Sequence, residues 1–199
     1  MKGILQTLWG PPGLILLGAI LSAIGALWAS QQMRIKSEEI AELNKEIVKL
    51  VTGGDSFCYL TIMSLDPLTN SGILTIVHQG DHPIYDVSAR IVDLQKMKTI
   101  EKKNKMNFQE VMQASTIIQI GNMAKGAGST IGPFPLGNET ERNFNIFFSA
   151  RNGFFTQNLR MNKINNKWVQ ATIVAKDNKV LFEKIDSDFP RKSDGSVNW

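Results

Sequence analysis

Residues 13–30, GLILLGAILSAIGALWAS, run for eighteen positions without a charge. A helix needs about 20 mostly apolar residues to cross the hydrocarbon layer of a bilayer, so this stretch reads as a single membrane anchor and makes lipid the first partner. Two other readings compete with it. A buried core helix requires a polar face or a large helical domain around it, whereas the chain beyond residue 55 is patterned as β-structure. A cleaved signal peptide finds a basic flank in Lys2, but the apolar run exceeds the usual roughly 7–15 residues. The best small-x-small site for cleavage, Ala23-Ile24-Gly25, is followed by Trp28. Trp9 and Trp28 stand near the two ends, where an indole keeps its ring in lipid and its N–H wet. Pro11 and Pro12 fall at the helix start, where a missing N–H costs little.

The basic residues around the span point in two directions. Only Lys2 precedes it, whereas Arg34, Lys36, Lys45 and Lys49 come after it, a count that favours a cytoplasmic C-terminal domain. A short N-terminal tail, one span and a large C-terminal domain is also the shape of an uncleaved signal anchor, which leaves that domain outside. The outside placement is the preferred one.

The expected organisation is an N-terminal flank (1–12), a transmembrane helix (13–30), a helical stalk (31–52), a β-domain (55–186) and a flexible tail (187–199). The stalk, QQMRIKSEEIAELNKEIVKLV, is rich in helix formers and lacks Gly and Pro. Met33, Ile40 and Ile47 at heptad position a, with Leu43 and Leu50 at d, make an apolar seam flawed only by Lys36. Carried back into the span, the same register meets Ala19, Ser22, Ala26 and Ala29, small residues that allow close helix approach in lipid. The expectation is a stalk able to associate with further copies of itself, as a coiled coil. Against it, the seam is short, Glu39 and Asn44 offer no charge pair to select a partner, and a lone helix can pack its stripe on its own domain.

Thr52-Gly53-Gly54 ends the helix. The anchor, the stalk run Ser37-Glu38-Glu39-Ile40-Ala41-Glu42-Leu43-Asn44-Lys45-Glu46-Ile47, the opening Gly53-Gly54-Asp55-Ser56-Phe57-Cys58-Tyr59 and Pro83-Ile84-Tyr85-Asp86-Val87 together resemble a group of uncharacterised bacterial single-pass membrane proteins. The resemblance covers about a third of the chain. It implies this layout and a bacterial source, and it assigns no activity and no site.

From Ser56 onward the pattern has period two, with turn signals between strands. Leu60 and Ile62 alternate with polar neighbours; residues 73–79 and 84–94 read as strands, the latter with Tyr85, Val87, Ala89 and Ile91 on one face. Residues 115–120 resume strand character after a basic loop and one or two helical turns near Phe108. Phe144, Ile146 and Phe148 face inward before a hairpin centred on Asn152-Gly153, and Phe155, Leu159 and Met161 line the return strand. Residues 168–176 and 179–185 form a last hairpin around Asp177-Asn178. Seven or eight antiparallel strands without long intervening helices predict a mainly β fold, an antiparallel sandwich of Ig-like or C2-like architecture.

Charge is local. The chain carries a formal +4, and residues 95–105 alone hold five lysines against one glutamate. No aromatic residue lies between Lys96 and Lys105, so a nucleic-acid partner is not expected. The loop reads first as a solvated connection and second, through Lys102 and Lys103, as a contact for anionic lipid or an acidic partner. The single cysteine, Cys58, precludes an internal disulfide and reads as a small buried hydrophobe.

No reaction is legible. The glycine run 121–130 lacks the lysine of a phosphate loop, and Gly132-Pro133-Phe134-Pro135 stops the helix such a loop requires. His78 and His82, with Asp81 and Asp86 nearby, are the residues of the alternative reading, a metal-dependent or other hydrolase. Because His78 ends a strand and His82 sits in a turn, the preferred reading makes them surface turn residues and expects no metal or cofactor. Phe147 and Phe154 fall opposite the inward sets of their strands and form the candidate apolar contact with a protein or envelope partner. The preferred function is a membrane-anchored, non-catalytic binding or assembly module.

Overall fold

The computed structural model describes residues 10–66, 69–102 and 108–199. The chain divides into two compact units, Met1–Val48 and Lys49–Trp199. Trp9, Lys2, Lys103 and Lys105 lie outside the described residues.

Helix α1, Pro11–Thr52, is continuous for 42 residues. It begins where the proline pair predicts: the Gly10 carbonyl accepts from the N–H groups of Gly13 (3.0 Å) and Leu14 (3.2 Å), and Pro11 occupies the first helical position. An eighteen-residue stretch of the helix has a mean hydropathy of 2.0, long and apolar enough to cross a membrane. No residue of α1 is buried.

The helix stops at the glycine pair for two reasons. Gly53 and Gly54 take φ of 101° and 53°, in the region that favours glycine. Space is short as well: a Cβ on Gly54 would lie 2.9 Å from Cδ2 of His82. The first strand then starts within three residues.

Nine strands come next among the described residues: β1 (Phe57–Asp66), β2 (Ser71–Gln79), β3 (Ile84–Asp93), β4 (Ser115–Met123), β5 (Gly128–Pro135), β6 (Glu141–Ala150), β7 (Gly153–Ile164), β8 (Lys167–Lys176) and β9 (Lys179–Ile185). They build a three-stranded antiparallel sheet in the order β1-β2-β5 and a six-stranded one in the order β4-β3-β6-β7-β8-β9. Leu60, Ile62, Leu74 and Ile76 of the smaller sheet share one buried cluster with Ile146, Phe148, Phe155, Leu159 and Met161 of the larger. A mainly β sandwich, preceded in the chain by an apolar helix, is therefore the architecture.

Four details differ from the sequence expectation. Residues 128–135 form no helix, as expected, but the glycine run does not stay a flexible inter-strand loop to residue 130: strand β5 begins at Gly128, because glycine and proline are tolerated on an edge, where one side of the strand needs no ladder partner. The basic loop is helical over its first half: α2, Leu94–Glu101, is capped by Asp93, whose carboxylate accepts from the N–H groups of Gln95 and Lys96. The helical turns near Phe108 are α3, Phe108–Gln113, as expected. Tyr85 does not share the inward face of Val87, Ala89 and Ile91; a bulge with Asp86 at φ 54° gives the inward place to Ile84, which is fully buried.

The fourth detail concerns the tail. Residues 187–199 are not loose against the domain, since Phe189 and Val197 are buried with Val169 and Ala171 on the outer face of β8. The β6–β7 hairpin is where the sequence puts it, but Arg151 and Asn152 link the paired residues Ala150 and Gly153, and only Gly153 of the Asn152-Gly153 pair takes positive φ. The β7–β8 and β8–β9 hairpins have left-handed pairs at Asn165-Asn166 and Asp177-Asn178, which match the right-handed twist of the strands they join.

Candidate functional site

His78 is 2 % exposed, and both of its ring nitrogens serve the backbone. Nδ1 accepts the Gly126 N–H at 3.1 Å, which leaves the proton on Nε2, donated to the His82 carbonyl at 2.8 Å. The ring thus ties the turn after β2 to the turn between β4 and β5. No lone pair is left for a metal, and His82 contributes its carbonyl rather than its ring to this contact. His78 is therefore a buried strut and not the surface turn residue expected from its position. Among the described residues no group of three or more His, Cys, Asp or Glu side chains is placed to hold a metal ion. Asp81 makes an exposed ion pair with Lys125 at 2.9 Å, which holds its carboxyl below the usual range. Asp86 is paired with Arg151 at 2.8 Å, so each carboxylate of the candidate constellation is engaged by a cation.

The two ends of the sandwich are finished differently. Along β1, the Gln157 side chain from the facing sheet accepts from the Leu60 N–H at 2.8 Å and donates to the Leu60 carbonyl at 2.6 Å. Gln170 repeats the arrangement two residues on, donating to the Ile62 carbonyl at 3.1 Å and accepting from its N–H at 3.4 Å. Two amide side chains thus take the place of a missing strand, and the Gln157 amide is completed by a bond to Oγ1 of Thr172 at 2.6 Å.

At the opposite end β4 and β5 are both edge strands, and a cleft of 510 Å³ with a mixed apolar and polar lining lies between them. Leu74, Ile91, Ile118, Ile131 and Phe134 form much of its wall. Its polar part is built around Arg142, which donates to the Asp93 carboxylate (2.7 Å) and to the Leu136 carbonyl (2.6 Å) while lying 5.2 Å over the Phe144 ring. The Arg142 Nε is buried and has no acceptor among the described residues. Lys96, on the first turn of α2, completes the rim. The size and the mixture of apolar wall with a few convergent polar groups are those of a ligand or side-chain pocket.

The residues named from sequence are spread over the molecule. Phe147 and Phe154 are 48 % and 76 % exposed and lie on one face of the β6–β7 hairpin, diagonal to each other, since Phe147 pairs with Thr156 and Phe154 with Ser149. Lys102 caps α2 and is exposed; Lys103 lies outside the described residues. Within α1, Met33, Ile40, Leu43, Ile47 and Leu50 are all exposed. The phenylalanine pair and Lys102 do not meet in one site.

Sequence reasoning passed over the cleft. Asp93 offers a signal, an acidic residue directly before the helix-forming LQKMKTIE. Gln157 offers another, a polar residue at an inward place between Phe155 and Leu159. Arg142 offers none, because its role depends on β3, β5 and β6 meeting in space.

No protein-family model matches the chain, and neither a curated protein nor a solved structure matches it.

Proposed function

We propose that the protein is a membrane-anchored, non-catalytic binding or assembly module. In this reading residues 13–30 span the bilayer as an uncleaved anchor, the sandwich lies outside the cytoplasm, and the apolar seam of the stalk serves association with further copies. A bacterial source, as the resemblance implies, belongs to the same reading. The observation that carries it is the cleft between β4 and β5: a shaped recess of mixed lining whose one carboxylate, Asp93, is consumed by Arg142 and by the cap of α2. Such a recess binds without needing a reactive group. Against the hydrolase alternative in the His78/His82 region, each ring nitrogen of His78 is already occupied by a backbone partner.

Density flotation of the full chain with vesicles tests the anchor. Wild-type protein is expected to float and to resist a carbonate wash. The Ile20→Arg/Ile24→Arg variant, at about 2.5–3.5 kcal/mol per charge in the middle of a span, is expected to remain at the bottom. A wild-type chain that stayed dissolved without detergent and ignored vesicles would overturn the anchored reading. Stoichiometric metal that disappears with His78→Ala would overturn the non-catalytic one.

A further inference from the structure

We infer that β4 is a strand-addition site, whose free edge pairs with an extended segment of another protein, apolar at alternate positions and acidic where it passes α2. This rests on the binding-module reading and names the class of partner.

A sheet edge presents a row of unpaired N–H and C=O groups, and native proteins blunt such edges against unwanted pairing. Among the described residues the sandwich has four edges. The β1 edge is occupied by the Gln157 and Gln170 amides. The β5 edge carries Pro133 and Pro135, which have no N–H to offer. The β9 edge carries Lys179, Glu183 and Lys184. Only β4, STIIQIGNM, has neither a charge nor a proline, and its Ile117 is 59 % exposed. Three edges are protected by three different means, and among the described residues the fourth carries none of them.

The geometry of β4 suits an incoming strand. The Asp93 N–H donates to the Ala114 carbonyl at 2.9 Å, and the register continues with Ile91 opposite Thr116 and Ala89 opposite Ile118. Antiparallel pairing alternates, so the backbone groups of Thr116 and Ile118 face β3, while those of Ser115, Ile117 and Gln119 face away from it. A strand laid beside them places every second side chain on the face of Thr116 and Ile118, both of which line the 510 Å³ cleft. Main-chain bonds then supply affinity and the cleft supplies selection, the logic of β-augmentation.

Charge decides the kind of strand. Among the described residues of α2, its cap and α3, Lys96, Lys98 and Lys102 outnumber Glu101 and Glu110, and Lys96 stands on the cleft rim. The one carboxylate in the lining is already paired with Arg142, whose buried Nε still lacks an acceptor. An acidic segment complements this rim, whereas a second copy of a chain of net charge +4 brings more of the same sign.

The test uses the full chain in detergent and two capped nonapeptides of alternating Val and Thr, one ending in two Glu and the other in two Lys. The Glu peptide is expected to bind about tenfold or more tighter by fluorescence anisotropy and to slow amide exchange at Ile117 and Gln119. Ile117→Pro removes one outward N–H and is expected to weaken binding by about tenfold at an unchanged melting temperature. Should that variant unfold, Lys96→Glu/Lys98→Glu, which leaves the backbone intact, must invert the preference between the peptides. Equal binding of both peptides, no binding by either, or protection outside β4 overturns the proposal. Protection of β4 that grows with protein concentration in the absence of peptide also overturns it, in favour of a second copy. Flotation of the same sample separates the two readings: a chain that floats but ignores the Glu peptide loses only the strand site.

Discussion

Cys58 and Gln157 show how little of the interior is left to chance at single positions. Cys58 is fully buried in β1, and burial pushes its thiol from 9.0 up to about 12. A folded-state value above the unfolded one means that the stability associated with the neutral thiol is complete below pH 9.0 and is lost as the pH climbs towards about 12. The difference in unfolding free energy between wild type and Cys58→Ala is therefore expected to shrink by about 1 kcal/mol per pH unit across that window, measured by denaturant titration from about pH 8 to 11. A pH-independent difference would show that the thiol reaches solvent. Gln157 is equally enclosed, and each hydrogen-bonding group of its amide is used, two on Leu60 and one on Thr172.

At the scale of elements, the ion pair below α2 joins three segments. Asp93 caps α2 and binds Arg142, and the two side chains are 9 % and 13 % exposed. Asp93→Ala removes a cap and strands a buried guanidinium, so a loss of about 3–5 kcal/mol is expected in chemical denaturation, together with faster amide exchange in α2. Asp93→Ala/Arg142→Met, which removes the stranded charge, is expected to recover much of that loss. If the single and double variants are equally unstable, the ion pair is not what holds this corner. The elements also show what a sequence can reveal. Strands β6 and β7 were legible because Phe144, Ile146 and Phe148 repeat every second residue, as do Phe155, Leu159 and Met161 once Gln157 is counted at the inward place between them, with a strong turn signal joining the two strands. Strand β5 was not, because Gly128, Gly132, Pro133 and Pro135 erase the local pattern, and its strand character comes from pairing with β2. Since β5 is one wall of the cleft, the candidate site was hidden with it. The misplacing of Tyr85 has a similar root: a bulge at Asp86 reverses the faces, and one sequence position gives no warning of it.

For the whole molecule, the chain end is structural. Phe189 and Val197 cover Val169 and Ala171 on a face that would otherwise meet water, and Trp199 packs against the same cluster. Removing residues 187–199 is expected to lower stability by several kcal/mol, at about 1.5–3 kcal/mol for each large side chain buried, and to produce dye-detectable apolar surface on β8. An unchanged melting temperature would refute the packing of the tail. The Arg151 and Asn152 hairpin tip bears on how the domain responds to being pulled. Arg151 Nη1 donates to the Val51 carbonyl at 3.3 Å, and Asn152 Nδ2 donates to the carbonyls of Gly54 (2.9 Å) and Ser56 (2.6 Å). These contacts grip the chain where it leaves the helix, and they belong to the turn joining β6 and β7, the middle pair of the six-stranded sheet. A tug arriving through that tether is shared with the innermost hairpin instead of falling wholly on β1, so mechanical load meets the most densely laddered part of the fold first.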